Sequence, residues 1–186
     1  KFLAEEIYKE WLEEDSENRT LIIIRPTVIF GEDNRGNVFN LLNQIASNKF
    51  IMIGNGKNVK SMAYVKNLTA FIKFSLNFNN GKHLHNYIDK PDINMKSLVS
   101  ISRRMILNKR GMGIFLPSYV GLVVGKLFDY IAFITKKEFS ISSIRIKKFI
   151  STSQFSSNIK NTEFIPPFSL EEGLKRTIKN EFIKQI

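Results

Sequence analysis

The sequence predicts an α/β fold, and three observations carry that prediction. Leu21-Ile22-Ile23-Ile24 is an unbroken apolar run, which suits a strand in a parallel sheet with helices on both faces. Helical and strand-like segments then alternate along the chain, which favours α/β over a helical bundle. Composition agrees, since 186 residues that are 43% hydrophobic and 24% charged can build a core. The strands are too few, however, for a complete doubly wound sheet.

Lys1 to Glu14 has helical periodicity from its first residue, with Leu3, Ile7 and Trp11 four apart on one predicted inner face. No capping residue and no leader signature opens the chain, so a further segment upstream of Lys1 is expected. The strand from Thr20 ends at Arg25-Pro26, because proline has no N–H for the ladder. Thr27 to Gly36 is predicted as a loop at that strand's carboxyl end, where open α/β sheets place ligands. Asn37 to Ala46 is predicted to be a helix with Leu41, Leu42 and Ile45 inward. Phe50 to Ile53 is a short strand, and Gly54-Asn55-Gly56 a turn.

After Tyr64-Val65 a helix is predicted to bury Leu68, Phe71, Ile72 and Leu76. Leu84 to Ile88 alternates as a strand, and Asp92 or Asn94 is placed to cap a helix carrying Leu98, Ile101 and Met105. Gly113 to Thr135 approaches the length of a membrane span, but Lys126, Asp129, Pro117 and three glycines interrupt it. A pair of buried helices on a domain core is the expectation there. Peripheral membrane contact is the alternative, because apolar surface beside a basic stretch is the amphipathic signal. Ser169-Leu170-Glu171-Glu172 matches a capping box, opening a helix with Leu170, Leu174, Ile178 and Phe182 four apart.

The 28 Lys and Arg against 17 Asp and Glu give a net charge of +11, unevenly spread: residues 1–33 carry −5 and the remainder +16. Such a field favours nucleic acid, anionic lipid or a phosphorylated ligand, although twenty of the cations are lysines and fit a general compositional bias equally well. The absence of cysteine excludes disulfides, thiolate metal sites and a cysteine nucleophile. His83 and His85 share one face of their strand but lack further ligands, so no metal site is predicted. No GxSxG elbow, GxxxxGK[ST] loop or GxGxxG turn is present, so these residues carry no dinucleotide site of their own. The anion-binding candidates are Arg25 at the strand end, Lys57 and Lys60 beside the glycine turn, and Arg145 next to Lys147 and Lys148. For Arg25 a structural ion pair is the equal alternative.

In order, four stretches resemble an extended short-chain dehydrogenase/reductase of the NAD-dependent epimerase/dehydratase family acting on nucleotide sugars. Lys1-Phe2-Leu3-Ala4-Glu5-Glu6 resembles the segment that begins at the lysine of the family's Tyr-x-x-x-Lys. Residues 21–31 resemble the strand and loop beyond it, and residues 54–67 the stretch written Gly-x-Gly, Arg-Asp and aromatic-Val-Asp. Residues 168–178 resemble the closing helix. The resemblance implies the C-terminal part of an NAD-binding Rossmann-type fold plus the smaller mixed α/β substrate-binding domain. It assigns residues 1–80 mainly to the former and 81–186 mainly to the latter, with elements interleaved.

By that resemblance Lys1 is the catalytic lysine, which holds the nicotinamide ribose and lowers the pKa of a tyrosine four residues upstream, outside this sequence. Lys1 and Pro26 would border NAD, most of whose site lies in an N-terminal half. Thr27, Asn37, Val38, Phe39, Lys60 and Arg145 would meet the nucleotide sugar, Lys60 in place of an arginine. Ser61 stands where aspartate is usual, and Lys66-Asn67 replaces an acidic pair. The implied protein is a cytoplasmic 4-epimerase-like enzyme with a transient 4-keto intermediate, homodimeric at full length, inactive as these 186 residues alone, and not a nucleic-acid binder. Two alternatives remain: a non-catalytic basic module for nucleic acid or anionic membrane, and an inactive relative.

Overall fold

The apolar run forms β1 (Thr20–Pro26), which pairs in parallel with β5 (Gly81–Tyr87), Thr20 opposite Gly81 and Pro26 opposite Tyr87. This computed structural model describes residues 1–137, 139 and 141–183. A second sheet has β4 (Val59–Tyr64) at its centre, parallel to β2 (Val28–Phe30) on one side and antiparallel to β6 (Asp89–Asn94) on the other. β3 (Met52–Ile53) and β7 (Phe115–Leu116) form a short parallel ribbon. The helices are α1 (Phe2–Glu13), α2 (Asn37–Ala46), α3 (Val65–Ser75), α4 (Met95–Leu107), α5 (Ser118–Thr135), α6 (Ser143–Ile150) and α7 (Leu170–Phe182). The predicted α/β class is the observed one, with β1 in the expected parallel pairing and an antiparallel pair at β4 and β6. Within residues 27–36, β2 replaces part of the predicted loop, because Val28 to Phe30 find a ladder partner in β4.

Two cores hold these elements, each drawing on residues from both sides of position 80. In one, Phe30, Leu42, Ile45, Met52, Tyr64, Leu98, Leu174 and Ile178 bring α2, α4 and α7 onto the second sheet. In the other, Leu68 and Phe71 of α3 pack with Tyr87, Ile24 and Phe164 beside β1 and β5. Burying a side chain of Phe71's size contributes about 2–3 kcal/mol, so each core is worth several such terms before entropy is subtracted. The helix starts follow their sequence signals. Ser169 and Glu172 complete the capping box of α7, and Asn94 rather than Asp92 caps α4, accepting from the Ser97 N–H at 2.8 Å.

Three helices differ from expectation in what covers them. Leu3, Ile7 and Trp11 of α1 are exposed, and Leu12 is the buried residue of that helix. Ile72 and Leu76 also face outward, because the stripe that meets the core is Asn67, Leu68, Phe71 and Ser75. The predicted buried pair at 113–135 is instead the single helix α5, whose buried residues are Gly121 and Gly125. A Cβ at Gly121 would lie 2.5 Å from Ile53, and one at Gly125 2.8 Å from the Ser143 backbone. The small-residue face has therefore packed inward, and the bulky apolar face is left outside.

Candidate functional site

Beyond Pro26 the ladder continues for one residue, the Thr27 N–H donating to the Tyr87 carbonyl at 3.3 Å. The Thr27 hydroxyl oxygen is buried there without a hydrogen-bond partner among the described residues. At the end of β2, Gly31 lies against the start of α3, where a Cβ would come within 2.2 Å of Val65. That approach brings Glu32 to Tyr64, whose hydroxyl donates to the carboxylate at 2.9 Å, and to Lys66, whose Nζ donates at 2.8 Å. Burial pushes the Tyr64 phenol well above its ordinary value, and the adjacent Glu32 adds to the shift. For Glu32 itself burial acts upward, but Lys66, the backbone and Tyr64 together hold its carboxyl below the usual range.

Asp89 organises the junction of β4, β6 and α3 from a fully buried position. It accepts from the Tyr64 N–H at 2.6 Å, from Asn67 Nδ2 at 3.0 Å and from the Tyr87 hydroxyl at 3.1 Å. Burial raises the Asp89 carboxyl, while these three donors act against the shift. Asn67 in turn exchanges two hydrogen bonds with the Phe168 backbone, tying the entry of α7 to the same point. The sequence reading missed Glu32 and Asp89. Glu32 is remote in sequence from Tyr64 and Lys66, and Asp89 from Tyr64 and Asn67, so only the folded sheet brings these groups together, Tyr87 alone being a sequence neighbour of Asp89.

The anion candidates separate. Arg25 forms a bidentate ion pair with Glu5, which lowers the Glu5 carboxyl and joins the first turn of α1 to the end of β1. Lys1, one turn before Glu5, is exposed and lines a cleft of about 630 Å³ between α1 and the apolar residues of β1. Pro26 and Thr27 follow Arg25 in the chain and are not among the residues that line this cleft. Lys60 lies elsewhere, its Nζ donating to the carbonyls of Lys148 at 2.8 Å and Ser151 at 2.6 Å. Partial burial lowers its pKa. Arg145 sits exposed in the first turn of α6, its N–H donating to the capping hydroxyl of Ser142 at 3.2 Å. Asn37 is exposed at the start of α2, Val38 is buried in the core, and Phe39 stacks on Phe182 at 5.5 Å. Glu181 straps the preceding loop to α7 through the Asp33 N–H at 2.7 Å and Arg35 at 2.5 Å.

His83 and His85 do share a face, stacked at 6.5 Å beside Phe78. Both ring nitrogens of His85 are buried without a partner among the described residues, and burial lowers its pKa. Among the described residues no cluster of His, Asp and Glu has the makings of a metal site.

No protein-family model matches the chain. Its fold is the Rossmann-type α/β architecture of the extended epimerases and dehydratases. It superposes on the UDP-glucose 4-epimerase of Thermotoga maritima, solved with UDP-glucose, with a TM-score of 0.61 at 14% identity, covering 96% of this chain and 50% of that one. On the GDP-L-fucose synthetase of Naegleria fowleri bound to NADP the TM-score is 0.60 at 12% identity, covering 94% of this chain and 49% of that one. In sequence the chain is homologous to the N-acetyl-alpha-D-glucosaminyl-diphospho-ditrans,octacis-undecaprenol 4-epimerase of Escherichia coli O157:H7. The two are 48% identical over 185 residues, which is 98% of this chain and 56% of that protein's length.

Proposed function

We propose that the chain is the sugar-diphosphate-binding portion of an NAD-dependent 4-epimerase. The observation that carries this reading is the 48% identity to the Escherichia coli enzyme across 98% of the chain. That relative's name places an N-acetylglucosaminyl group on a polyprenyl diphosphate, and we assign the same substrate class here. A nucleotide-linked sugar is the second reading, favoured by the superposition on the UDP-glucose 4-epimerase. Both substrate classes present a hexose on a diphosphate, and they differ in what the distal phosphate carries as well as in the N-acetyl group.

Bound NAD would supply reversible hydride transfer at the sugar carbon whose configuration changes. In this chain Lys1 would hold the ribose hydroxyls and, as a cation, favour the phenolate of a tyrosine four residues upstream. Pro26 and Thr27 would wall the nicotinamide side, and the unpartnered buried Thr27 hydroxyl fits a ligand contact there. The start of α2, at Asn37 to Phe39, would direct N–H groups at an anion. Lys60 and Arg145 would serve the phosphates from either end of α6, Lys60 after exchanging a helix carbonyl for the ligand. The exposed face of α1 and the cleft beside β1 support a division in which residues 1–80 mainly complete a Rossmann domain with further residues of the same protein. The working enzyme in this proposal is a cytoplasmic homodimer, placed where NAD is abundant.

Incubating the full-length protein and NAD with polyprenyl-diphosphate-linked N-acetylglucosamine, and separately with its UDP-linked form, tests the reading. Appearance of the 4-epimer after mild acid release is the expected result on the lipid-linked substrate. Folded protein that epimerises neither sugar would overturn it. The 186 residues alone should show no tight NAD binding by calorimetry, and tight binding would refute the placement of the cofactor site outside them.

A further inference from the structure

The face of α5 opposite its buried glycines is open. Tyr119, Val123, Leu127, Tyr130, Phe133 and Ile134 are exposed by 56% to 82% and recur at helical spacing, all within about 120° of the circumference at 100° per residue. Gly121 and Gly125 lie on the other side, against Ile53 and the start of α6. One exposed aliphatic residue is ordinary, but six large ones on a single stripe need a cover. The surrounding charge indicates its chemistry. Residues 109–150 carry eight Lys and Arg against Asp129 and Glu138. Asp129 is already used, accepting from the Ser143 N–H at 3.2 Å. Lys126, Lys136, Lys137, Lys147 and Lys148 have no acidic partner among the described residues.

We propose that this stripe docks the protein, lying in the plane of the membrane, on a bilayer rich in anionic phospholipid. An apolar face that carries Lys126 and runs into Lys136 and Lys137 at its end, with tyrosines along it, is the composition that buries in the headgroup and upper acyl region. A second copy of the chain would cover the apolar stripe but would bring Lys126, Lys136 and Lys137 of both copies to one contact, which opposes that occupant. A spanning arrangement is opposed by the inner face, which is packed on β3 and α6 rather than free to enter lipid. The docking element is also fastened to the candidate site. Asn58 Nδ2 donates to the Phe149 carbonyl at 2.8 Å, and the Ser61 N–H donates to Ser153 at 2.9 Å, so β4 carries α6 and, through it, α5. The docking stands without the enzymatic reading. Its consequence, that a sugar diphosphate on a membrane-held polyprenol is met at the bilayer surface, rests on the function proposed above.

Flotation of the full-length protein with phosphatidylcholine vesicles, with and without about a third phosphatidylglycerol, tests the proposal. The natural protein should float with the anionic vesicles and be released by high salt. Each lysine near such a surface is worth about 1 kcal/mol, so Lys136→Gln with Lys137→Gln should weaken binding roughly thirtyfold. Leu127→Asp with Phe133→Asp should abolish it. Both substituted side chains are exposed, so the variant should keep its circular dichroism and, if the enzymatic reading holds, its turnover of the lipid-linked sugar dispersed in detergent without vesicles. Failure of the natural protein to bind anionic vesicles would overturn the docking. So would equal binding by the Leu127→Asp, Phe133→Asp variant, resistance to alkaline extraction as expected of a span, or loss in that variant of a dimer instead of vesicle binding. Vesicle binding by a protein that turns over no sugar would leave the docking intact and remove the function.

Discussion

Replacing Asp89 with alanine should be among the most damaging single changes in the protein. Three donors converge on the buried carboxylate: the Tyr64 N–H at 2.6 Å, Asn67 Nδ2 at 3.0 Å and the Tyr87 hydroxyl at 3.1 Å. Asn67 keeps one partner, since it also donates to the Phe168 carbonyl at 2.8 Å. One hydrogen on each of the three groups would still be orphaned. A buried unsatisfied donor costs about 1–3 kcal/mol, and water entering the vacated volume relieves part of that, so a loss of about 3–5 kcal/mol is expected. With a urea m-value of about 2 kcal/mol/M for a chain of this size, the unfolding midpoint should fall by about 1.5–2.5 M. Asp89→Asn should cost about half as much, because it keeps one acceptor but turns an amide toward a donor. It should also remove a titration. Burial raises the Asp89 carboxyl, so its contribution is fully present below the unfolded value near 3.9 and is lost as pH rises through the folded value. Urea melts followed by far-ultraviolet circular dichroism measure all three proteins. A shift below about 0.5 M for Asp89→Ala would refute the argument, since the donors would then be satisfied some other way.

Two further outcomes are expected. Burial lowers the His85 pKa, so its neutral form supports the fold above the unfolded value near 6.5, and that support is lost as pH falls through the folded value. His85→Phe should flatten the pH dependence of thermal stability in that acidic window, and an unchanged profile would show that the imidazole does not titrate on unfolding. Gly173→Ala places a Cβ 2.6 Å from the Tyr64 ring, so about 1–3 kcal/mol of overpacking should outweigh the ~1 kcal/mol gain in helix propensity, and a raised melting temperature would contradict it.

What the sequence made legible is what neighbouring residues decide among themselves. The run Leu21 to Ile24 is a strand ending at Pro26, Ser169 and Glu172 form the capping box, and Asn94 caps its helix. What it concealed depends on partners far along the chain. Val28 to Phe30 became β2 only because β4 lies beside them. The four-residue spacing of Leu3, Ile7 and Trp11 marks one apolar face of α1. Residues 113–135 read as a pair of buried helices but supply the single helix α5, with its bulky apolar face exposed. Periodicity states that a face prefers an apolar cover and not what supplies it. In α5 the two glycines, taken from sequence as interruptions, are the packing surface, because close approach requires the residues with the least bulk.

The departures from the family pattern acquire a physical reason in the same way. Ser61 donates to Asp92 at 2.8 Å, Lys66 to Glu32 at 2.8 Å, and Asn67 to Asp89 at 3.0 Å. Every position where the resemblance expects an acid therefore faces a carboxylate that arrives from another element. Aspartate at 61 would set two carboxylates at hydrogen-bond distance beside Lys90, which already pairs with Asp92 at 2.6 Å. An acid at 67 would place a second carboxyl against buried Asp89, and like charges at that separation force one of the two to hold a proton. An acid at 66 would exchange the Glu32 ion pair for a repulsion. Serine, lysine and asparagine are what these three positions need once Asp92, Glu32 and Asp89 are in place. Each of the three carboxylates is met by a donor, so the three departures fit this fold as a set rather than one by one.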